Sequence, residues 1–166
     1  MEQMAKVMED MASFVLTCSD TETFSGATVA AMEVFEGRLA KKEWPLFSGT
    51  AFRKEIKEGD VCVIYIAGTK QIAQHFVAVA TVADVREWGF NDPTVDSEDF
   101  LTTTPSSVIR FSKVARFDSP LGVRPIVESL DFTKGKKKWG IAFHGGCKRL
   151  PSADLRRIKK MGNVSI

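Results

Sequence analysis

The feature that most restricts the fold is a pair of strand-like segments near the middle of the chain. Residues 61–68 (VCVIYIAG) form an apolar run rich in β-branched and aromatic residues, which predicts a buried strand. Residues 74–85 (QHFVAVATVADV) alternate two sets of side chains with period two, which predicts a second strand with both faces partly covered. The short segment between them predicts a hairpin, so a β-sheet core is expected.

The flanking segments predict further strands and a few helices. Strands are expected at residues 14–18, at residues 108–117 with a bulge, and in the apolar segment that Trp139 opens. Helices are expected from methionine spacing at residues 1–12, between Ser25 and Gly37, and from an N-cap at Ser152 to the end of the chain. Strand–helix–strand repetition is absent from this order, which favours an α+β barrel or half-barrel. The 166 residues predict one domain, 1–166, with residues 1–12 as a helical extension.

Composition and cysteine usage narrow the class of protein. The sequence has no apolar run of 18 residues, and its acidic, broken start differs from a signal peptide, so no membrane segment and a cytoplasmic location are expected. The three cysteines form no C-x-x-C pair, which favours reduced thiols. A zinc site needs a fourth ligand at suitable spacing, and the chain has only two histidines. We therefore expect neither a metal nor a cofactor.

Catalytic motifs are weak. No glycine-rich phosphate loop follows a strand, and His75 and His144 lie far apart in sequence, neither near a nucleophile elbow. Glu55-Ile56-Lys57 matches the E-x-K end of a metal-dependent nuclease motif, but no aspartate lies between Asp20 and Asp60 to supply a second carboxylate. The sequence thus predicts a binding module, with no catalytic residue, rather than an enzyme.

Charge is unevenly distributed. Residues 134–160 contain ten Lys or Arg against one acidic residue, Asp154, whereas the rest of the chain has a net charge of −7. A basic segment on a mildly acidic body is typical of a surface that faces a polyanion, or of a solvated terminal helix.

The segment KKEWPLFSGTAF (41–52) poses a different question. Trp44 stands beside a proline and ahead of a Ser-Gly-Thr turn, in a stretch too irregular for a clean helix or strand. A tryptophan there needs either a core in which to pack or a flat ligand on which to stack.

An ordered set of segments resembles the EVE domain, a member of the PUA-like group related to the YTH readers of modified bases. The matching segments are FVLTCSD, EWPLFSGTAF, IKEGDVCVIYIAG, FVAVATVADV, VIRFSKV and KKKWGIAFHGGCKRLPSADLRRI. The resemblance implies an α+β, PUA-like mixed β-barrel flanked by helices. It also implies a pocket that accepts one modified base.

The resemblance assigns roles to particular residues. It implies a base pocket formed by Ser19, Asp20, Trp44, Ser48, Gly49, Thr50, Ala67, Gly68 and Trp88. Backbone phosphates would meet the basic residues Lys134, Lys136, Lys137, Lys138, Lys148 and Arg149. Each role has a structural alternative: Trp44 as a core residue, Asp20 as a helix cap, Trp88 as a barrel plug, and the lysine run as a solvated turn. Cys18 and the Ser-Gly-Thr turn depart from the family's usual residues, which leaves the base open.

The function implied is recognition of a modified base, 5-methylcytosine or 5-hydroxymethylcytosine in DNA, by base flipping into an aromatic pocket. Such domains resemble the recognition part of restriction or defence systems whose nuclease lies elsewhere, so the chain would act alone, as a sensor, or with a separate nuclease partner. Two alternatives remain: an RNA-binding PUA-like module acting on tRNA or rRNA, and a regulator that binds a small molecule or nucleotide.

Overall fold

The computed structural model describes residues 11–23, 25–68, 72–89, 91–92 and 103–166. The predicted N-terminal helix, up to residue 10, and most of the segment between residues 89 and 107 lie outside this part of the chain.

A six-stranded mixed sheet forms the body of the domain. The described part of the chain has eight strands, of which six belong to this sheet. In chain order they are β1 (Ser13–Cys18), β2 (Thr21–Glu22), β3 (Thr28–Val29), β4 (Glu43–Leu46), β5 (Val61–Ile66), β6 (His75–Glu87), β7 (Ser107–Gly122) and β8 (Cys147–Leu150). The large sheet has the order β4-β7-β6-β5-β1-β8 and curls into a half-barrel, while β2 and β3 pair separately. Strands β1 and β5 are parallel, and the other neighbours in the large sheet are antiparallel.

Helices cover both faces of this sheet, which gives the predicted α+β class. They are α1 (Ala31–Lys41) and α2 (Ser152–Met161); two 3-10 segments, Arg124–Ser129 and Trp139–Phe143, lie between β7 and β8. Helix α1 packs Val34 and Phe35 on one face, and α2 packs Ile158 on the other. Burial on two faces explains why every residue of β5 is buried and why its sequence is a continuous apolar run.

The strand predictions hold well in the middle of the chain. Strands β5 and β6 form the predicted hairpin. The strand predicted at residues 108–117 extends over Ser107–Gly122, and its pairing with β6 shifts register at three places, as expected of a bulged strand.

The prediction of a helix from Ser25 to Gly37 is wrong at both ends. Residues Thr28–Val29 pair with β2 instead, and the helix begins at Ala31. Gly37 lies inside α1, which ends at Lys41; the next residue, Lys42, is the C-cap and has a left-handed conformation with φ 53°. The start is fixed by Asp20, whose carboxylate accepts a hydrogen bond from the Ala31 N–H at 2.9 Å. A cap that comes from outside the segment has no local sequence signal.

Three smaller expectations also change. The segment around Trp44 is the regular strand β4, which lies at the sheet edge, where Pro45 is tolerated because its missing N–H faces no neighbour. Trp139 opens a 3-10 turn rather than a strand. Ser152 is the first residue of α2, and Pro151 occupies the N-cap.

Candidate functional site

The candidate site lies where β1 and β5 end. Because the two strands are parallel, their carboxyl ends meet at one edge of the sheet. Ser19 follows β1 there, while Ala67 and Gly68 follow β5. The Ala67 N–H donates to the Cys18 carbonyl at 2.9 Å, which fixes the two chain segments together.

Two pockets open at this edge. The smaller has a volume of about 180 Å³ and is lined by Thr17, Ser19, Thr21, Arg38, Trp44, Pro45, Leu46, Phe47, Thr50 and Gly146. The larger has a volume of about 400 Å³ and is lined by Thr17, Ser19, Tyr65, Ala67, Gly68, Gln74, Gly140, Phe143, His144, Gly145 and Gly146. We call them the small pocket and the large pocket.

The two pockets adjoin at the end of β1. Thr17, Ser19 and Gly146 line both of them. The Thr17 hydroxyl donates to the Phe143 carbonyl at 2.8 Å, and the Thr17 N–H donates to the Gly146 carbonyl at 2.9 Å. Gly145 and Gly146 have φ of 89° and 79°, a conformation that favours glycine, so the wall shared with β1 depends on this pair.

Trp44 lines the small pocket but exposes little of its ring. Strand β4 pairs it with Ile109 of β7, and only 2% of the residue is exposed. The Arg38 guanidinium lies over the ring, 4.5 Å from its centroid. Trp44 is therefore a core residue whose ring, with Arg38 over it, contributes to the pocket lining.

Arg38 is the unusual polar group of the small pocket. Its Nε is buried, and no group in the described part of the chain accepts a hydrogen bond from it. Burial lowers the pKa of the guanidinium from its usual value. Burial also raises the pKa of the neighbouring Cys18 thiol to about 11, although the charge of Arg38 opposes that shift. Cys18 is accordingly a neutral thiol at physiological pH, donating to the Ala31 carbonyl at 3.3 Å.

Asp20 has a structural task. It lines neither pocket, and its Oδ1 accepts the hydrogen bond from the first N–H of α1. Both carboxylate oxygens lie 3.8 Å from the position that a Cβ on Gly68 would take. Asp20 therefore ties the end of β1 to the start of α1, and its carboxylate lies beside Gly68 after β5.

The Ser-Gly-Thr turn contributes one residue to a pocket. Thr50 lines the small pocket, and its Oγ1 accepts a hydrogen bond from the Phe47 N–H at 3.2 Å. Ser48 and Gly49 are exposed and line neither pocket.

Trp88 also stands outside both pocket linings. It follows β6, is half-buried, and donates its backbone N–H to the Ser106 carbonyl at 3.1 Å.

The lysine run leads into the wall of the large pocket. Lys134 forms an ion pair with Asp131 at 3.0 Å, and Lys136 Nζ donates to the Phe132 carbonyl at 3.1 Å. Lys137 and Lys138 are exposed and immediately precede the 3-10 turn that supplies Gly140 and Phe143 to the pocket.

The two basic residues of β8 face different regions. The Lys148 Cε lies 4.0 Å from the position of a Cβ on Gly145, beside the large pocket. Arg149 lies over the ring of Phe14, 5.8 Å from its centroid, and lines a hollow near the start of β1 instead.

Several lining residues had no sequence prediction. Arg38 lies beyond the predicted end of its helix, so no pattern distinguished it from a solvated arginine. Tyr65 lies inside an apolar strand, and its ring stacks on Phe143 at 3.8 Å between centroids. His144 and its two following glycines offered a usable signal, since a glycine pair beside a strand marks a close backbone approach.

Two absences apply to the described part of the chain. It contains no group of three or more His, Cys, Asp or Glu side chains arranged to hold a metal ion. None of its helices is both long and apolar enough to span a membrane.

Comparison with known proteins identifies the family. A search among curated proteins gives no significant match. Among solved structures, the N-terminal domain of Staphylothermus marinus McrB is similar with a TM-score of 0.59 at 8% identity, covering 90% of this chain and 94% of that one. Human THYN1, solved in complex with 5-methylcytosine containing DNA, gives 0.58 at 11% identity, with coverages of 93% and 99%.

The YTH domain of Zygosaccharomyces rouxii MRB1, solved in complex with N6-methyladenosine RNA, gives a TM-score of 0.52 at 14% identity, covering 93% of this chain and 89% of that one. These likenesses establish the PUA-like fold. The family model described as "EVE domain" matches residues 38–161, most of the sequence. The chain belongs to the EVE domain family.

Proposed function

We propose that this EVE domain is a non-enzymatic module that binds nucleic acid by taking one modified base into the small pocket. The observation that supports this most directly is convergence. Ser19 follows β1, whereas Trp44 and Thr50 belong to the segment 41–52; the family resemblance implied all three as base-pocket residues, and all three line the small pocket. Its volume of about 180 Å³ is below the roughly 300–1,000 Å³ of drug-sized ligand sites and suits a single planar base.

Base flipping is energetically reasonable at such a site. Extrusion of a base from a duplex costs a few kcal/mol, and stacking on an aromatic side chain returns about 1–3 kcal/mol. Here the Arg38 guanidinium already lies over the ring of Trp44, so the contact that offsets this cost would be made with the guanidinium rather than with an open tryptophan face. The hydroxyls of Ser19 and Thr50, both residues of the small-pocket lining, would hydrogen-bond the edge of the base.

The large pocket would hold the neighbouring nucleotide. Ser19 lines both this pocket and the small pocket, and Lys137 and Lys138 immediately precede the 3-10 turn that forms part of its wall. Exposed lysines beside a nucleotide-sized hollow favour contacts with backbone phosphates. Modified cytosine in DNA is our first choice of target because the similar THYN1 structure contains 5-methylcytosine DNA.

RNA is the second candidate target. The similar YTH domain structure contains N6-methyladenosine RNA, and the lysines would serve either polymer. A separate nuclease partner remains part of the proposal only for the DNA case.

The test is a fluorescence anisotropy titration with matched oligonucleotides. Duplex DNA carrying one 5-methylcytosine, one 5-hydroxymethylcytosine or plain cytosine is compared with RNA of the same sequence. The variant Ser19→Leu places an isobutyl group where the two pockets meet and should abolish the preference for the modified base. Ser119→Leu, on the exposed surface of β7, is the matched control and should bind as the wild type does.

The outcomes separate the candidates. Equal affinity for modified and plain oligonucleotides, or an unchanged preference in Ser19→Leu, would contradict the pocket assignment. Tighter binding of modified RNA would move the target to RNA. Binding of the free nucleoside, without salt-sensitive binding of any polymer, would support the small-molecule alternative. In the DNA case, replacing Lys137 and Lys138 with glutamine should lower the slope of log K against log salt by about 2.

A further inference from the structure

Arg38 differs from the other arginines for which the structure gives an ion pair. Arg86, Arg110, Arg116 and Arg157 each contact a carboxylate: Asp92, Asp84, Glu36, and Asp154 with Asp131, respectively. Arg38 has no such partner within the described residues, and its Nε is buried without an acceptor. An unpaired buried donor is unfavourable, more so when charged, and such groups in native proteins need an explanation.

The position of Arg38 points to a ligand as the missing partner. Its side chain lines the small pocket and lies against Trp44, which restricts its orientation. The nearby carboxylate of Asp20 is committed to the N–H of Ala31 and does not line the pocket. The pocket lining therefore contains a cation and hydroxyls but no carboxylate among its residues.

The donor-rich lining restricts the base edge that the pocket can satisfy. A guanidinium only donates hydrogen bonds, in a fixed planar fork that matches two adjacent acceptors. Cytosine offers adjacent acceptors at N3 and O2. The Watson–Crick edge of adenine offers one acceptor, N1, beside the donor on N6. N6-methylation leaves that donor in place.

From these observations, and resting on the proposed function, we infer that Arg38 is the residue that selects the base. Its guanidinium donates to the adjacent N3 and O2 of a cytosine-type pyrimidine, so the small pocket prefers 5-modified cytosine to N6-methyladenine. The 5-substituent lies on the opposite side of the ring from O2, so residues of the small-pocket lining other than Arg38 would contact it.

The experiment uses the full chain and four duplexes that differ at one position: 5-methylcytosine, cytosine, N6-methyladenine and adenine. The wild type should bind 5-methylcytosine more tightly than N6-methyladenine. Arg38→Gln should reduce that ratio by about 5- to 150-fold, since a bidentate pair contributes about 1–3 kcal/mol of discrimination. The glutamine side chain presents an NH₂ donor group beside a carbonyl acceptor and so cannot satisfy two adjacent acceptors with a fork of donors; the loss should therefore fall on cytosine rather than on adenine. Arg38→Lys should lose most of the ratio too, because a point charge lacks the fork.

Arg116→Gln is the matched control. Arg116 also lies over an aromatic ring, that of Phe35, but it is exposed, paired with Glu36 and outside both pockets. This variant should keep the wild-type ratio. Thermal unfolding of each variant without DNA shows how much the substitution changes the stability of the fold. If Arg38 had only a structural role, its replacement would lower the affinity for all four duplexes equally.

Three results would overturn the inference. They are a wild type that binds N6-methyladenine as tightly as 5-methylcytosine, an Arg38→Gln variant with an unchanged ratio, and an equal loss for all four duplexes. A wild type that ignores both modifications, binding each modified duplex as it binds the plain one, would instead refute the proposed function itself.

Discussion

Asp20 provides a direct test of how the site is built, because two roles predict different results. Its carboxylate accepts the N–H of Ala31 at 2.9 Å, which makes it a cap for α1. Helix α1 in turn positions Arg38 in the small pocket. If capping is its role, Asp20→Ala should destabilise the domain, whereas Asp20→Asn should retain the acceptor and most of the stability.

The magnitudes follow from capping energetics. Loss of a capping acceptor costs about 0.5–2 kcal/mol, and loss of a negative charge at a helix N-terminus costs about 0.3–1 kcal/mol. We expect a loss of about 1–2 kcal/mol for Asp20→Ala and about 0.3–1 kcal/mol for Asp20→Asn. In a domain of this size each kcal/mol shifts Tm by about 2–4 °C, so Asp20→Ala should unfold about 2–8 °C lower.

Urea denaturation and oligonucleotide binding, measured on the same preparations, decide between the roles. Asp20→Asn should bind within a few-fold of the wild type, and Asp20→Ala more weakly because α1 loses its anchor. If Asp20→Asn retained full stability but lost binding, Asp20 would contact the base directly, and the capping argument would fail.

Two further predictions concern the core around the pockets. Phe143→Ala should lower the free energy of unfolding by about 3–5 kcal/mol, because Phe143 is 2% exposed and stacks on Tyr65. A loss below 1 kcal/mol in urea unfolding would show that this aromatic stack does not support the large pocket. Stability should fall as pH rises from about 9 towards 11, because the Cys18 thiol, with its pKa raised to about 11, stays protonated in the folded state while the unfolded thiol ionises. Burial also raises the pKa of the Cys62 thiol and, to about 12, that of Cys147, so all three thiols contribute to this loss. Cys18→Ala should make that part of the urea-derived stability profile less steep, and an identical profile would refute the assignment.

The central hairpin is the part of the fold that the sequence specified most completely. An apolar run beside a segment of period two has few stable solutions other than a strand pair with covered faces. Helix α2 was likewise predictable from its local sequence pattern. Leu155 and Ile158 were predicted to form its buried side, and Ile158 is fully buried. For these elements the local pattern and the tertiary environment agree.

The candidate site was only partly accessible to sequence reasoning. The family likeness pointed to Ser19, Trp44, Thr50, Ala67 and Gly68, all of which line one of the two pockets. Asp20, Ser48, Gly49 and Trp88 line neither. A motif identifies segments that approach a site, but it cannot assign the direction of each side chain once turns and caps claim their polar groups.

By itself, the sequence determined the strands whose hydrophobic pattern is local, the α+β class and the family. Tertiary structure alone decided three things. Trp44 lies in a strand because β4 pairs with β7, whose Ile109, the partner of Trp44, lies 65 positions later in the sequence. Helix α1 began at Ala31 because a carboxylate eleven residues upstream caps it. The Nε of Arg38 became a buried donor because the side chain packs against Trp44. Each depends on a tertiary contact, and such contacts leave no periodic trace in a single sequence.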